Sequence, residues 1–279
     1  MASPSDDALQ RACDALLSAD GLVLATGAGM GVDSGLPDFR GSEGFWRAYP
    51  PLRALGLVFE QMANPLWFDR DPHLAWGFYG HRLQLYRVTV PHAGFERAAA
   101  MAARMPQGLF AYTSNVDGQH QRAGTSERRV CEAHGSIHQL QCTAPCTDET
   151  WTAEDVVVEV DVATCRAVGP LPRCPHCGGL ARPNILMFGD GRWVSDRTDW
   201  QDAAFAEWLE GIDPARLVVL ECGAGMAVAT IRHLSERLVR RGATLIRINP
   251  RDAAVPAGQV ALVARAQHGL TALAERLGI

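Results

Sequence analysis

The apolar positions fall into short runs that alternate with stretches of helical period. Residues Ser5 to Ala19 place Leu9, Cys13, Leu16 and Leu17 on one helical face. A run of buried-strand length follows, Leu22 to Ala25, and then a break of glycines. Gly41 to Asp71 is irregular, rich in aromatics and proline, and reads as a loop with short helices of the kind that forms a lid. Asp71 as cap and Pro72 at the first position open a helix to Arg87, and a second helix covers His92 to Arg104. Further strands are expected at Leu109–Thr113, Arg129–Cys131, Leu217–Leu220, Thr244–Ile248 and Val260–Ala264. Ile185–Phe188 is a short apolar run; helices are expected over Asp199–Gly211, Ala227–Arg241 and His268–Leu277. Strands that alternate with helices predict an α/β fold with a Rossmann-like, doubly wound parallel sheet. Ligands of such sheets gather at the carboxyl ends of the strands, where the loops beginning at Gly27, Ser114, Gly223 and Asn249 all fall.

The glycine break reads Gly27-Ala28-Gly29-Met30-Gly31, with Gly35 beyond it. A glycine loop after a strand lets backbone approach a phosphate without Cβ obstruction. The spacing departs from the dinucleotide fingerprint, because Val32 stands where the third glycine would fall. A tight strand-to-helix turn explains these glycines equally well.

Composition narrows the picture. The chain of 279 residues is 47% hydrophobic and 20% charged, enough for a sizeable core. A net charge of −5 offers no basic surface for nucleic acid. No apolar run reaches the length of about 20 residues that a membrane helix needs, and Met1–Asp7 lacks the features of a signal peptide. A cytoplasmic location is expected. Of eight cysteines, Cys142, Cys146, Cys174 and Cys177 form two close pairs; four thiolates in this pairing suit a closed, structural Zn2+. Cys165, between the pairs, is an alternative fourth ligand. The segment from Leu140 to Arg182 therefore reads as a small module of its own.

His134, in Glu132-Ala133-His134-Gly135-Ser136, stands just past a strand and opposite the glycine loop. Tyr79 and Arg82 are three apart on one helix and project from one face. An arginine there grips a carboxylate with two parallel bonds; the plainer reading leaves Arg82 in solvent and Tyr79 half packed.

Chain order now becomes informative: the glycine loop with Asp33-Ser34-Gly35-Leu36-Pro37-Asp38-Phe39-Arg40, then Asn115-x-Asp117, His134-Gly135, the two cysteine pairs, Phe188-Gly189-Asp190, and Asn249-Pro250. This order resembles that of the bacterial-type sirtuins over almost the whole chain. The resemblance implies one catalytic domain over 1–279. Its Rossmann-like part covers about 1–40, 90–137 and 186–279, a helical lid about 41–89, and a zinc module about 138–185. It implies an NAD-dependent protein-lysine deacylase that moves the acyl group to ADP-ribose and releases nicotinamide.

Carried over position by position, Gly27, Ala28 and Gly29 wrap the NAD pyrophosphate. Asp38, Phe39 and Arg40 lie beside the nicotinamide ribose, with Ser114, Asn115 and Asp117 around ribose and amide. Gly223 and Asn249 meet the adenosine, and His134 is the general base, with Asn115 also catalytic. Phe188 and Gly189 pair with the backbone of an acylated-lysine protein or peptide. Tyr79 and Arg82 resemble the Tyr-x-x-Arg of the desuccinylase branch, which implies succinyl, malonyl or glutaryl chains.

Three positions depart from the family pattern. Ser114 replaces a glutamine, Glu221-Cys222-Gly223-Ala224-Gly225 replaces Gly-Thr-Ser, and Asp190 replaces a glutamate. Glu221 is either a ribose carboxylate or an ordinary strand-end acid. Two other readings share the nucleotide site: an NAD glycohydrolase or mono-ADP-ribosyltransferase, and a non-catalytic NAD-binding module.

Overall fold

The structure is a computed structural model, and it describes residues 5–37 and 41–279. Its centre is a six-stranded sheet, parallel throughout. The spatial order is Val260–Leu262, Thr244–Ile248, Leu217–Cys222, Gly21–Thr26, Gly108–Thr113, Val130–Glu132. The chain builds outward from Gly21–Thr26 on one side and later returns to its other side. The order therefore reverses between Gly21–Thr26 and Leu217–Cys222, and a crevice must open at their carboxyl ends. In register, Thr26 lies opposite Cys222, so Gly27 and Gly223 leave the sheet side by side.

Alternation along the strands covers both faces, as a parallel sheet requires. Leu22, Leu24, Val218, Leu220, Ile246 and Ile248 pack with Cys13, Leu16, Phe95, Leu270 and Leu273. Val23, Ala25, Phe110, Val219 and Leu245 pack with Phe205, Trp208, Ile231, Leu234 and Leu238 on the opposite face. At about 1.5–3 kcal/mol for each large apolar side chain buried, these two layers dominate the stability of the sheet.

A third core joins the helical insertion to the cysteine-bearing segment. Phe45, Leu52, Met62, Phe68, Trp76, Phe78 and Tyr79 pack with Ile137, Leu140 and Ile185. The last three belong to a small antiparallel sheet, ordered Trp151–Thr152, Gly135–Cys142, Ala181–Ile185. The expected lid contains four short helices, Gly41–Ala48, Pro50–Ala54, Phe59–Met62 and Leu66–Arg70. The helix Pro72–Val88 starts where expected, with Asp71 Oδ1 accepting from the Leu74 amide at 3.1 Å.

Some expectations shift. Leu17 is 66% exposed, because the buried face of the helix Asp6–Ser18 is centred on Ala12 and Leu16, and Leu17 stands about 100° further round. The strand Gly135–Cys142 is an addition to the expected strands, and along one edge it pairs from Gly135 to Ser136 and again from Leu140 to Cys142. The helix expected from Ala227 begins at Thr230. Among the described residues, no helix is long and apolar enough to cross a membrane.

Candidate active site

A cleft of about 540 Å3 opens at the switch point, within the range of about 300–1,000 Å3 usual for small-molecule sites. One wall is made by the two glycine loops. Gly27 donates its amide to Cys222 O at 3.1 Å, and Gly29 donates to Gly223 O at 3.0 Å. Side chains have no room between them. A Cβ on Gly27 would lie 2.8 Å from Ala224 Cα, and one on Gly223, at φ +65°, would lie 2.4 Å from Gly29 C. Gly27, Ala28, Ala224 and Gly225 face the cleft, while Gly29 and Gly223 form the backbone contact.

The floor comes from the end of Gly108–Thr113. Asn115 is tied on both sides: its amide N–H donates to Thr113 Oγ1 at 3.0 Å, and its Nδ2 donates to Gly27 O at 3.0 Å. Behind it, Thr26 and Thr113 hydroxyls meet at 2.8 Å, and His120 Nε2 reaches Thr26 Oγ1 at 2.8 Å. Burial pushes His120 down to about 4, so this brace is neutral at ordinary pH. Asp117 lines the cleft and is buried; loss of water pushes its carboxyl up to about 6.

His134 enters from the strand Val130–Glu132. The helix Asp196–Glu210 holds that strand: Gln201 Oε1 accepts from Glu132 N at 3.0 Å, and Arg197 pairs with the Glu132 carboxylate at 2.7 Å. At Gly135 the chain passes into the antiparallel sheet with φ +74°, and a Cβ there would meet Asn184 O at 2.1 Å. His134 is thus fixed at the junction of two sheets. Its Nε2 lies 3.0 Å from Thr230 Oγ1, and burial lowers its pKa, partly opposed by a hydrogen bond to the Ser114 backbone.

The opposite wall is the helix Pro72–Val88. Tyr79, Arg82 and Tyr86, at i, i+3 and i+7, all face the cleft and all are buried. Arg82 is therefore not a solvated surface arginine. It lies over the rings of Phe78, Tyr79 and Tyr86 at 5.2, 5.7 and 5.3 Å. Phe188, 39% exposed, and Leu186, 38% exposed, form the rim. The Phe188 amide donates to Ala63 O at 2.9 Å, and Asp190 is held by a bidentate pair with buried Arg182 at 2.7 and 3.0 Å.

The structure thus brings Gly27, Ala28, Ser114, Asn115, Asp117, His134, Tyr79, Arg82, Phe188 and Gly189 to one cleft. Asp38, Phe39 and Arg40 lie outside the described residues. Asn249 sits behind the wall: it is fully buried, its Nδ2 donates to Ala224 O at 2.8 Å, and its Oδ1 accepts from Arg251 N and Asp252 N. Glu221 is no ribose carboxylate, since Arg247 takes both its oxygens, at 2.6 and 3.0 Å, inside the sheet layer. Tyr86 and Thr230 escape a reading of the sequence. Tyr86 was accessible to it, one turn beyond Arg82 on the same face. Thr230 carries no local signal.

The solved Sir2 homologue in complex with NAD matches this fold with a TM-score of 0.74 and 26% identity, over 100% of this chain and 96% of that one. A mutant Sir2 homologue in complex with ADP-ribose matches with a TM-score of 0.72 and 27% identity, over 96% of each chain. The Sir2 family model matches residues 27–207. The chain belongs to the Sir2 family. Among relatives of this Sir2 protein, NAD-dependent protein deacylase 1 of Archaeoglobus fulgidus is 32% identical over 82% of this chain and 81% of its own length. NAD-dependent protein deacylase 2 of Pyrobaculum aerophilum is 32% identical over 95% of this chain and 94% of its own.

The four paired cysteines of this Sir2 chain converge, with their sulfurs all within 4.8 Å of one another. Cys142 and Cys177 sulfurs are 3.7 Å apart, and Cys146 and Cys174 sulfurs 3.6 Å. A tetrahedral Zn2+ with bonds of about 2.3 Å needs sulfurs about 3.8 Å apart, so the set fits that ion. Cys165 lies outside the cluster, buried in the third core.

Proposed function

We propose that this Sir2 protein is an NAD-dependent protein-lysine deacylase that transfers the acyl group to ADP-ribose and releases nicotinamide, with a preference for acidic acyl chains. The observation that carries the reading is convergence: the glycine loop, Asn115 and His134 share one cleft with Tyr79 and Arg82. The glycine walls suit a dinucleotide backbone, because the two loops pack backbone to backbone only without Cβ atoms and so present bare main chain to the cleft. NAD, when bound, supplies a glycosidic bond weakened by a cationic leaving group.

The remaining work falls to the protein. Asn115, anchored to Gly27 O, orients the ribose, and alignment of reacting groups carries a large share of the rate. His134, kept neutral by burial, accepts a proton from a ribose hydroxyl. Phe188, Leu186 and Val228 at the rim, together with a filled acyl pocket, keep water away from the reacting carbon. Tyr79 and Arg82, within that pocket, receive the carboxylate of a succinyl, malonyl or glutaryl chain. The four-cysteine set holds Zn2+ as a closed structural site and takes no part in the chemistry.

The test is incubation with NAD and a matched series of acetyl-, succinyl-, malonyl- and glutaryl-lysine peptides, with products identified by mass. Free lysine peptide with O-acyl-ADP-ribose is expected, fastest for the acidic chains. Free ADP-ribose with the peptides untouched would sink the proposal in favour of a glycohydrolase.

A further inference from the structure

On the Arg82 guanidinium, Nε and Nη2 both donate to Tyr86 Oη, at 3.0 and 2.8 Å. That pair of donors is one edge of the planar fork, an edge that fits a carboxylate with two parallel bonds. Among the described residues, a single neutral oxygen occupies it. Tyr86 is 4% exposed and faces the cleft, so its hydroxyl meets Arg82 within the acyl-binding end of the site. Tyr79 Oη, one turn before Arg82, is buried with no hydrogen-bond partner among the described residues.

We infer that Tyr86 is a specificity-determining residue that occupies the side-on edge of Arg82 and competes there with the carboxylate of an incoming acyl chain. The inference rests on the acidic-acyl reading above. Arginine stays charged at any working pH, and a buried cation needs acceptors whatever the pocket holds. An acetyl chain brings no acceptor to that edge, and Tyr86 Oη supplies one. An acidic chain brings a charged acceptor with two oxygens, which meets the fork in two parallel bonds where Tyr86 offers one neutral oxygen. It displaces Tyr86 Oη from the edge, while the buried hydroxyl of Tyr79 gains its missing partner. Tyr86 thereby makes the pocket tolerant of uncharged chains and lowers its margin for acidic ones. Its position follows from the helix: four residues beyond Arg82, on the same face, a phenol reaches the fork.

The experiment measures binding of labelled succinyl-lysine and acetyl-lysine peptides of one sequence, by fluorescence anisotropy, to the full chain and to Tyr86→Phe, Tyr86→Leu and Arg82→Met. Both peptides are titrated on the same sample, so partial unfolding of a variant cancels in the ratio. Tyr86→Phe and Tyr86→Leu are expected to raise the succinyl-to-acetyl affinity ratio about tenfold or more, the scale of one hydrogen bond to a charged group. Arg82→Met is expected to collapse the ratio. An unchanged or lowered ratio in both Tyr86 variants, with Arg82→Met still collapsing it, overturns the role of Tyr86 alone. A ratio that Arg82→Met leaves untouched, or wild-type protein that binds neither peptide, overturns the acidic-acyl reading and this inference with it.

Discussion

His134 Nε2 and Thr230 Oγ1 stand 3.0 Å apart, although 96 residues separate them. The first stands two residues past the strand Val130–Glu132 on one side of the crevice, and the second begins the helix Thr230–Arg240 on the other. The hydroxyl holds the imidazole at the height of the cleft by its Nε2.

The protonation of His134 gives a first expectation. Burial disfavours the imidazolium, so the neutral base persists below the ordinary histidine value of 6.5. The acid limb of kcat/KM against pH should therefore fall below 6.5, with activity retained above it. His134→Ala should lower deacylation by about 10²–10⁴-fold, the usual worth of a positioned base, with NAD binding kept. Initial rates across pH and NAD titration by fluorescence check both; an acid limb above 6.5 would contradict the burial argument.

Gly223→Ala tests the contact of the two glycine loops. The added Cβ would meet Gly29 C at 2.4 Å from a backbone at φ +65°. Strain of about 1–3 kcal/mol is expected. NAD affinity should drop at least as much as stability, because the loops move apart at the cleft. Gly191→Ala, where a Cβ meets nothing within 4 Å, is the matched control.

The cysteine set should carry one zinc per chain, measured by elemental analysis of protein purified without added metal. Metal binding and folding are linked in such closed sites. A chelator, or Cys142→Ser, should remove the ion and lower the melting temperature together. Cys165→Ser should leave the zinc content unchanged. Loss of zinc on changing Cys165 alone would refute the assigned ligand set.

Glu221 and Arg247 face each other in register on neighbouring strands, with side chains 0% and 2% exposed. Removing one partner strands a buried charge, so Arg247→Met should cost about 3–5 kcal/mol in chemical denaturation. The double variant Glu221→Leu/Arg247→Met should recover most of that loss, because an apolar pair replaces an ion pair with little net change. A double variant as unstable as the single one would locate the cost elsewhere, in the Arg247 bond to Ala254 O.

What the chain determined by itself is local. Period and turn chemistry specified the parallel sheet, the cap at Asp71 and the glycine breaks, and short spacing paired the cysteines, because these depend on neighbours within a few residues. The partners of those features were decided by strand order. That order set Gly27 beside Gly223 and put Glu221 against Arg247 rather than in the crevice, while packing of the helical insertion turned Arg82 inward among aromatic rings. It also brought Thr230 to His134 and left Asn249 behind the wall. A contact between residues far apart in the chain is fixed by sheet topology and packing, and no periodicity within either segment encodes it.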